Sequence, residues 1–167
     1  MKTVKTVLFT LLTLMLCACS GEKVNTLEAG RFDVMIKSDE TELKGVLTLE
    51  STSAYSIEYN DPGSPLFGLK KTVSDDGCIS EYNGIEYGSE YLSQRDALLL
   101  GSLNVMSLTK PSQRHADDKG DKTIVSVWET DGISIFLSSE KDSGKPTQLD
   151  LRDGETSVTI QFIDDKN

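Results

Sequence analysis

Alternation of apolar and polar residues is the strongest pattern along this chain. It recurs in six segments, and in each of them the apolar side chains fall on one face. A period of two residues is typical of a β-strand with one buried and one wetter face. The pattern therefore predicts an antiparallel sheet, with these inward-facing sets: Phe32, Val34 and Ile36; Leu43, Gly45, Leu47 and Leu49; Tyr55, Ile57 and Tyr59; Ile133, Ile135 and Leu137; Leu149 and Leu151; Val158, Ile160 and Phe162.

Turn signals lie between the strand-like segments. Four of them are Asp76-Gly77, Asn83-Gly84, Asp131-Gly132 and Asp153-Gly154. Such pairs favour positive φ in the two-residue turns that join antiparallel strands. A fifth signal is the 143–146 segment, Ser-Gly-Lys-Pro. Hairpins in series predict a meander, because the short connections leave no room for the crossover helices of a parallel sheet.

One segment, Ser93 to Met106, departs from the alternation and predicts a helix. Ser93 can cap its first turn, with Asp96 in the place that Glu holds in a capping box. The apolar face at helical spacing contains Ala97, Leu100 and Leu103, adjoined by Leu99 and Met106. Two short strands are the alternative. The polar residues 111–121 that follow predict a loop.

The first twenty residues predict export. Lys2 and Lys5 precede an apolar run from Val7 to Leu16, which is short for a membrane span and has the proportions of a secretory signal. The Leu-Cys-Ala-Cys that ends at Cys19 resembles the bacterial lipobox. That resemblance implies cleavage before Cys19 and acylation of its thiol. The alternative is an ordinary signal peptide with Cys19 left as a plain thiol.

The lipobox interpretation divides the chain into a signal peptide (1–18), a lipidated Cys19 with its tether (19–28) and one β-rich domain (29–167). Loss of Lys2 and Lys5 changes the formal charge from −10 to −12. We expect an extracytoplasmic protein held at the cell membrane, or at the outer membrane in a Gram-negative source, by its acyl chains. Its charge would keep the domain itself away from anionic head groups.

The amino-acid composition argues against most other functions, including nucleic-acid binding, metal binding and catalysis. The acidic balance argues against nucleic acid as a partner, because phosphates require a Lys/Arg surface. His115 is the only histidine, so it cannot join a multi-histidine metal site, and it is interpreted as a solvated loop residue. Cys78 is the one thiol left after processing and is interpreted as a buried structural residue. Asp117, Asp118 and Asp121 lack the spacing of a Ca²⁺ loop. We therefore expect no catalytic residue, no metal and no cofactor, and hence no enzyme.

The order of elements supports a resemblance. Strands around FDVMI, GVLTLES and YSIEYN are followed by a Pro-containing link with GLKKTVSDDGCISEYNGIEY, then one helix, then four strands that include GKPTQLDL. This order, over most of Ala29 to Ile163, is similar to small extracytoplasmic lipoproteins of Gram-positive bacteria that resemble the LolA/LolB superfamily. The resemblance implies a mainly β half-barrel of about ten antiparallel strands, with one helix on its concave side. In that family the concavity binds acyl chains of lipoproteins in transit.

Two functions follow as hypotheses. The first is a non-enzymatic binding module that holds a lipid or other apolar ligand between sheet and helix, in a cavity of several hundred Å³. Its expected lining is Phe32, Ile36, Leu47, Ile57, Leu100, Leu103 and Trp128. The alternative is an interaction or structural lipoprotein whose helix fills the concavity and whose acidic exterior meets an envelope protein. The tyrosines at 55, 59, 82, 87 and 91 predict either a groove lining or cross-strand packing.

The anchor can be tested with Cys19→Ala. We expect this variant to leave the membrane fraction, because the acyl chains that hold the protein are lost. Cell fractionation with immunoblotting measures the change. Cys17→Ala is the matched control and should remain in the membrane fraction, since Cys17 departs with the signal. Membrane retention of Cys19→Ala would contradict the lipobox interpretation.

Overall fold

The computed structural model describes residues 27–38, 41–116 and 122–164, so the predicted signal peptide and Cys19 lie outside the described part. The described residues form eleven strands and one helix. The strands are β1 (Gly30–Ser38), β2 (Thr41–Ser51), β3 (Ala54–Tyr59), β4 (Lys70–Ser74), β5 (Gly77–Tyr82), β6 (Ile85–Ser89), β7 (Gln113–Ala116), β8 (Thr123–Thr130), β9 (Ile133–Glu140), β10 (Pro146–Asp153) and β11 (Thr156–Phe162). The helix, α1, is Gln94–Leu108 and lies between β6 and β7.

All eleven strands belong to one curved antiparallel sheet that does not close. Its order is β6-β5-β4-β3-β2-β1-β11-β10-β9-β8-β7, so strands that are neighbours in the chain pair with each other, except β6 and β7, and β1 pairs with β11. Strands β6 and β7 are the two edges, and α1 connects them while it contacts β4, β10 and β11. The predicted half-barrel, with a meander of strands and one helix on the concave side, is therefore confirmed.

Inward-facing residues form rows across the sheet. Ile36 lies opposite both Leu43 and Ile160, and Leu149 lies opposite both Ile160 and Leu137. Directly opposite residues share a face, so the alternation along each strand becomes one continuous apolar surface. Ile160 and Leu149 are completely buried beneath the helix-covered part of this surface. The core is thus made of the positions that the alternation predicts.

Two predicted hairpin turns have the expected backbone. Asn83 and Gly84 have φ values of 52° and 76°, and Asp131 and Gly132 have φ values of 47° and 85°. Positive φ at both central residues is the type I′ geometry, whose twist matches that of the paired strands. These turns join β5 to β6 and β8 to β9 without a register shift.

Helix α1 begins as predicted, with Ser93 at its N-cap accepting a hydrogen bond from the backbone N–H of Asp96. Its buried residues are Asp96, Leu98, Leu99, Leu100, Ser102, Leu103 and Met106. Ala97, which was expected on the buried face, is exposed. The reason is that the helix is rotated so that Asp96 points at the sheet. No helix in the described residues has the length and apolar content to cross a membrane.

The predicted loop at 111–121 is partly wrong. Gln113–Ala116 form β7, and His115 lies on this edge strand opposite Val125 rather than in a loop. Backbone pairing with β8 overrides the polar composition, because β8 would otherwise leave its own N–H and C=O groups unpaired. The side chain of His115 is exposed, as expected, and Cys78 is buried, as expected. Asp117, Asp118 and Asp121 lie outside the described residues.

Two glycines provide a test of the packing. A Cβ on Gly45 would lie 2.6 Å from the carbonyl oxygen of Glu58 on the paired strand, whereas a Cβ on Gly101 of α1 would meet nothing within 4 Å. We expect Gly45→Ala to lower the free energy of unfolding by about 1–3 kcal/mol through this clash. Gly101→Ala should raise it by about 0.5–1 kcal/mol through helix propensity. Urea denaturation measures both, and effects of the same sign would contradict the described packing.

Candidate functional site

Helix α1 fills the centre of the concavity. Of the seven residues expected to line a ligand cavity, Leu47, Leu100, Leu103 and Trp128 are buried in the core that the helix and sheet form together. The indole Nε1–H of Trp128 donates to the backbone oxygen of Thr109 at 3.2 Å, just beyond the end of the helix. These four side chains therefore hold the helix on the sheet.

The remaining three expected residues lie in two places. Phe32 is half-buried and packs edge-to-face against Phe162, with ring centroids 5.3 Å apart. Ile36 and Ile57 line a partly open cleft beside the first turn of α1. The structure thus brings two of the seven expected residues together at a cleft.

This cleft has a volume of about 250 Å³. It lies between the N-terminal end of α1 and the inner faces of β1, β2, β3, β4 and β11, with one side chain from the β3–β4 connection. Its lining residues are Ile36, Ser38, Thr41, Leu43, Tyr55, Ile57, Tyr59, Leu66, Lys71, Ser93, Arg95, Asp96, Leu99, Val158 and Ile160.

The apolar wall of the cleft exists because α1 does not extend over this end of the sheet. Ile36 and Leu43 are paired across β1 and β2, point to the concave side, and are only half-buried. Leu66, from the β3–β4 connection, is also half-buried. The same alternation that builds the core therefore continues past the helix and leaves apolar side chains within reach of solvent.

The polar wall is organised by the buried carboxylate of Asp96. It accepts hydrogen bonds from the hydroxyl of Tyr55 at 3.1 Å, from Nζ of Lys71 and from the hydroxyl of Ser93. Lys71 also forms an ion pair with Asp96, and its side chain is 23% exposed. A buried carboxylate is costly unless it is paired and hydrogen-bonded, and here both conditions are met. The network ties the first turn of α1 to β3 and β4.

Burial and the Asp96 carboxylate raise the pKa values of the two tyrosines of the cleft, Tyr55 and Tyr59. Burial raises the pKa of Tyr55 far above its ordinary value, and the negative charge and hydrogen bond of Asp96 raise it further. Burial also raises the pKa of Tyr59, with a smaller contribution from the charge of Asp96. Both phenols therefore keep their protons to higher pH than an exposed tyrosine does. The hydroxyl of Tyr55 donates a hydrogen bond to Asp96.

Part of the site does not follow from the sequence pattern. The pattern assigns Asp96 only a helix-capping role and gives Lys71 no role. Lys71 lies at a position of β4 that continues the inward row of Ile57, so a lysine in an otherwise apolar row is the signal that could have identified it. The tyrosine cluster divides: Tyr55 is buried and Tyr59 lines the cleft, whereas Tyr82, Tyr87 and Tyr91 are exposed.

Among the described residues, no group of three or more His, Cys, Asp or Glu side chains could hold a metal ion. The side-chain donors of Tyr55, Lys71 and Ser93 are engaged with the Asp96 carboxylate. What the arrangement offers is an apolar cleft with a polar end.

The buried phenols predict a pH dependence of stability. In the unfolded chain a tyrosine titrates near pH 10, whereas folded Tyr55 keeps its proton to higher pH. Above about pH 10 the unfolded state therefore binds fewer protons, and the free energy of unfolding falls by up to about 1.4 kcal/mol per pH unit for each such group. Tyr55→Phe should remove the contribution of Tyr55 to this fall of the unfolding free energy with pH. Tyr87→Phe, at an exposed position, should not, and equal slopes for the two variants in urea unfolding between pH 9 and pH 12 would contradict the described burial.

Comparison with known proteins yields structural neighbours alone. No protein-family model matches the chain, and no curated protein matches it in sequence. Among solved structures, it is similar to LprF from Mycobacterium bovis (9% identity, TM-score 0.37), covering 81% of this chain and 85% of that one. It is also similar to the Mycobacterium tuberculosis lipoprotein LppX, with 10% identity and a TM-score of 0.40 over 81% of this chain and 86% of that one. A third similar structure is the LolA superfamily protein NE2245 from Nitrosomonas europaea, with 10% identity and a TM-score of 0.41 over 82% of this chain and 84% of that one. These likenesses concern the fold.

Proposed function

We propose that this protein is a non-enzymatic binding module, held on the extracytoplasmic side of a membrane by acylated Cys19. Its ligand is a single acyl chain or an apolar group of similar size, bound in the cleft beside the first turn of α1. The observation that carries the proposal is the row of half-buried apolar side chains, Ile36, Leu43 and Leu66, which the helix leaves uncovered.

The size of the cleft limits the ligand. Sites for drug-sized molecules usually enclose about 300–1,000 Å³, and this cleft, at about 250 Å³, is slightly smaller. A lipid with several chains would require α1 to move away from the sheet. Leu100, Leu103 and Trp128 oppose that movement because each is almost completely buried in the helix–sheet contact. The volume therefore favours one chain, or part of one, as the occupant.

The polar end of the cleft gives the ligand an orientation. Ser93 and Arg95 lie at the N-terminal end of α1, and both are exposed. An amphiphile would place its polar group beside them and its tail along Leu43 and Ile57. Burial of the tail against these side chains supplies the affinity, since apolar surface leaves water on both partners.

The structure has one feature expected from each of the two functional hypotheses, the binding module and the interaction or structural lipoprotein. The helix-filled centre is the feature that the interaction or structural alternative expected. The cleft at one end is the feature that the binding-module hypothesis expected, although five of the seven expected lining residues lie elsewhere. A binding site displaced to the end of the helix accommodates both observations.

A tryptophan scan of the cleft tests the proposal. Leu43→Trp should reduce ligand occupancy by about tenfold, because the indole ring takes up the space of the ligand. Met35→Trp is the matched control, since Met35 lies on the neighbouring strand with its side chain on the outer face of the sheet. Both are made in the Cys19→Ala chain, so that no detergent is needed to keep the protein in solution.

Native mass spectrometry of these chains, purified from their host, measures the occupancy. We expect extra mass on the parent and on Met35→Trp that is removed by organic extraction, with little or none on Leu43→Trp. The extracted parent should take up added dodecanoic acid. An apo mass for the parent, together with no uptake of dodecanoic acid, would refute the proposal.

A further inference from the structure

Large apolar side chains are exposed along the β6 edge of the sheet. Ile85 is 74% exposed, Tyr87 is 73% exposed, and Tyr82, directly opposite Ile85, is 47% exposed. All three lie on the concave side, continuing the inward rows beyond the reach of α1. The opposite edge, β7, has the sequence Gln-Arg-His-Ala and exposes no large apolar side chain. Contiguous exposed apolar surface of this kind commonly marks an interaction site.

The backbone of β6 is also available. As the last strand at its end of the sheet, it pairs with β5 and leaves its outer N–H and C=O groups to solvent. Soluble proteins usually protect such an edge with Lys, Pro, a bulge or an inward-pointing charge. Residues 85–89, Ile-Glu-Tyr-Gly-Ser, contain no Lys or Pro, and their pairing with β5 has no register shift.

The convex face of this edge is negatively charged. Glu81 and Glu86 lie directly opposite each other, a like-charge pair that destabilises a sheet when uncompensated. Lys70 on β4 lies directly opposite Glu81, on the side towards the middle of the sheet. Glu86 is on the edge strand, so no strand lies on its other side. Among the described residues, neither Glu81 nor Glu86 forms a salt bridge. A cation on a further strand would lie next to Glu86.

We infer that the edge of β6 binds an extended segment of another protein as a twelfth strand. The segment carries Lys or Arg on the side that meets Glu86, and apolar side chains on the side that meets Ile85 and Tyr87. Main-chain hydrogen bonds provide affinity in such strand addition, and the alternating side chains provide specificity. This interaction is separate from the proposed cleft ligand.

A second copy of this chain fits the same edge less well. Two β6 strands related by a two-fold axis would form one continuous sheet with both acidic faces on the same side. Glu81 and Glu86 of each copy would then be brought towards those of the other, without an added cation. The charge of the edge therefore favours a basic segment from a different protein.

The probe for the test is a fluorescent peptide, Lys-Val-Lys-Tyr-Lys-Val-Lys, with blocked ends. It is titrated against the Cys19→Ala chain and followed by fluorescence anisotropy. We expect Glu86→Lys to weaken binding by about fivefold, because a favourable cross-strand charge pair becomes repulsive. Glu129→Lys is the matched control: it makes the same charge change at an exposed position of an interior strand, β8, and should have little effect. A peptide with Glu in place of each Lys should bind the Glu86→Lys chain more tightly than it binds the parent chain.

A second measurement tests the strand geometry. A peptide with Pro in place of both its central Tyr and the next Lys should bind more weakly than one with Ala at both positions, because one of two adjacent strand residues points its N–H at the partner strand and Pro removes that donor. Amide NMR shifts on addition of the original peptide should be concentrated in β5 and β6. Equal loss with Glu129→Lys, undiminished binding of the Pro peptide, or shifts centred on β7 would overturn the inference. Self-association of the parent, abolished by Glu86→Pro, would identify a second copy as the occupant and would also overturn it.

Discussion

The hydrogen bonds to the Asp96 carboxylate determine how α1 lies on the sheet. Tyr55 on β3 and Lys71 on β4 both reach this buried group, so the first turn of the helix is fixed to two strands. A buried charge that lost these partners would be strongly unfavourable, so the helix cannot rotate about its axis without a large cost. The rotation buries Leu99, exposes Ala97 and sets the border of the cleft.

The open meander is the second feature on which the molecule depends. Because β1 pairs with β11 and sequence neighbours pair everywhere except between β6 and β7, the chain leaves two free edges far apart in the sheet. One helix of fifteen residues cannot cover the inner surface of eleven strands. Among the described residues, the cleft beside α1 and the β6 edge both contain uncovered apolar residues, and incomplete coverage explains both.

Much of this architecture could be predicted from local patterns. The alternation in residues 32–36 and 43–49 requires only that one side of each strand be buried, and the Asn83-Gly84 turn requires only a positive φ. β7 could not be predicted in this way. Its residues are polar, and they form a strand because β8 offers unpaired backbone groups, which is a tertiary effect.

In the candidate site, too, some positions follow from local sequence patterns and others depend on tertiary contacts. Ile36 and Ile57 were expected to face a ligand, and their inward positions follow from the strand period. Leu47, with the same period, is buried instead, in the core cluster that it shares with the leucines of α1. Burial at an inward position thus depends on the path of the helix. Lys71 enters the site because Asp96, 25 residues further along the chain, needs a cation.

Local patterns in the sequence specify the strands other than β7, the two type I′ turns, the helix and the face of each strand that turns inward, because these depend on residues a few positions apart. Which inward residues the helix covers is set by the tertiary structure, since that depends on contacts between residues far apart in the chain. The hydrogen bond between Tyr55 and Asp96, which are 41 positions apart in the chain, is such a contact. The cleft and the exposed β6 edge both arise from that coverage.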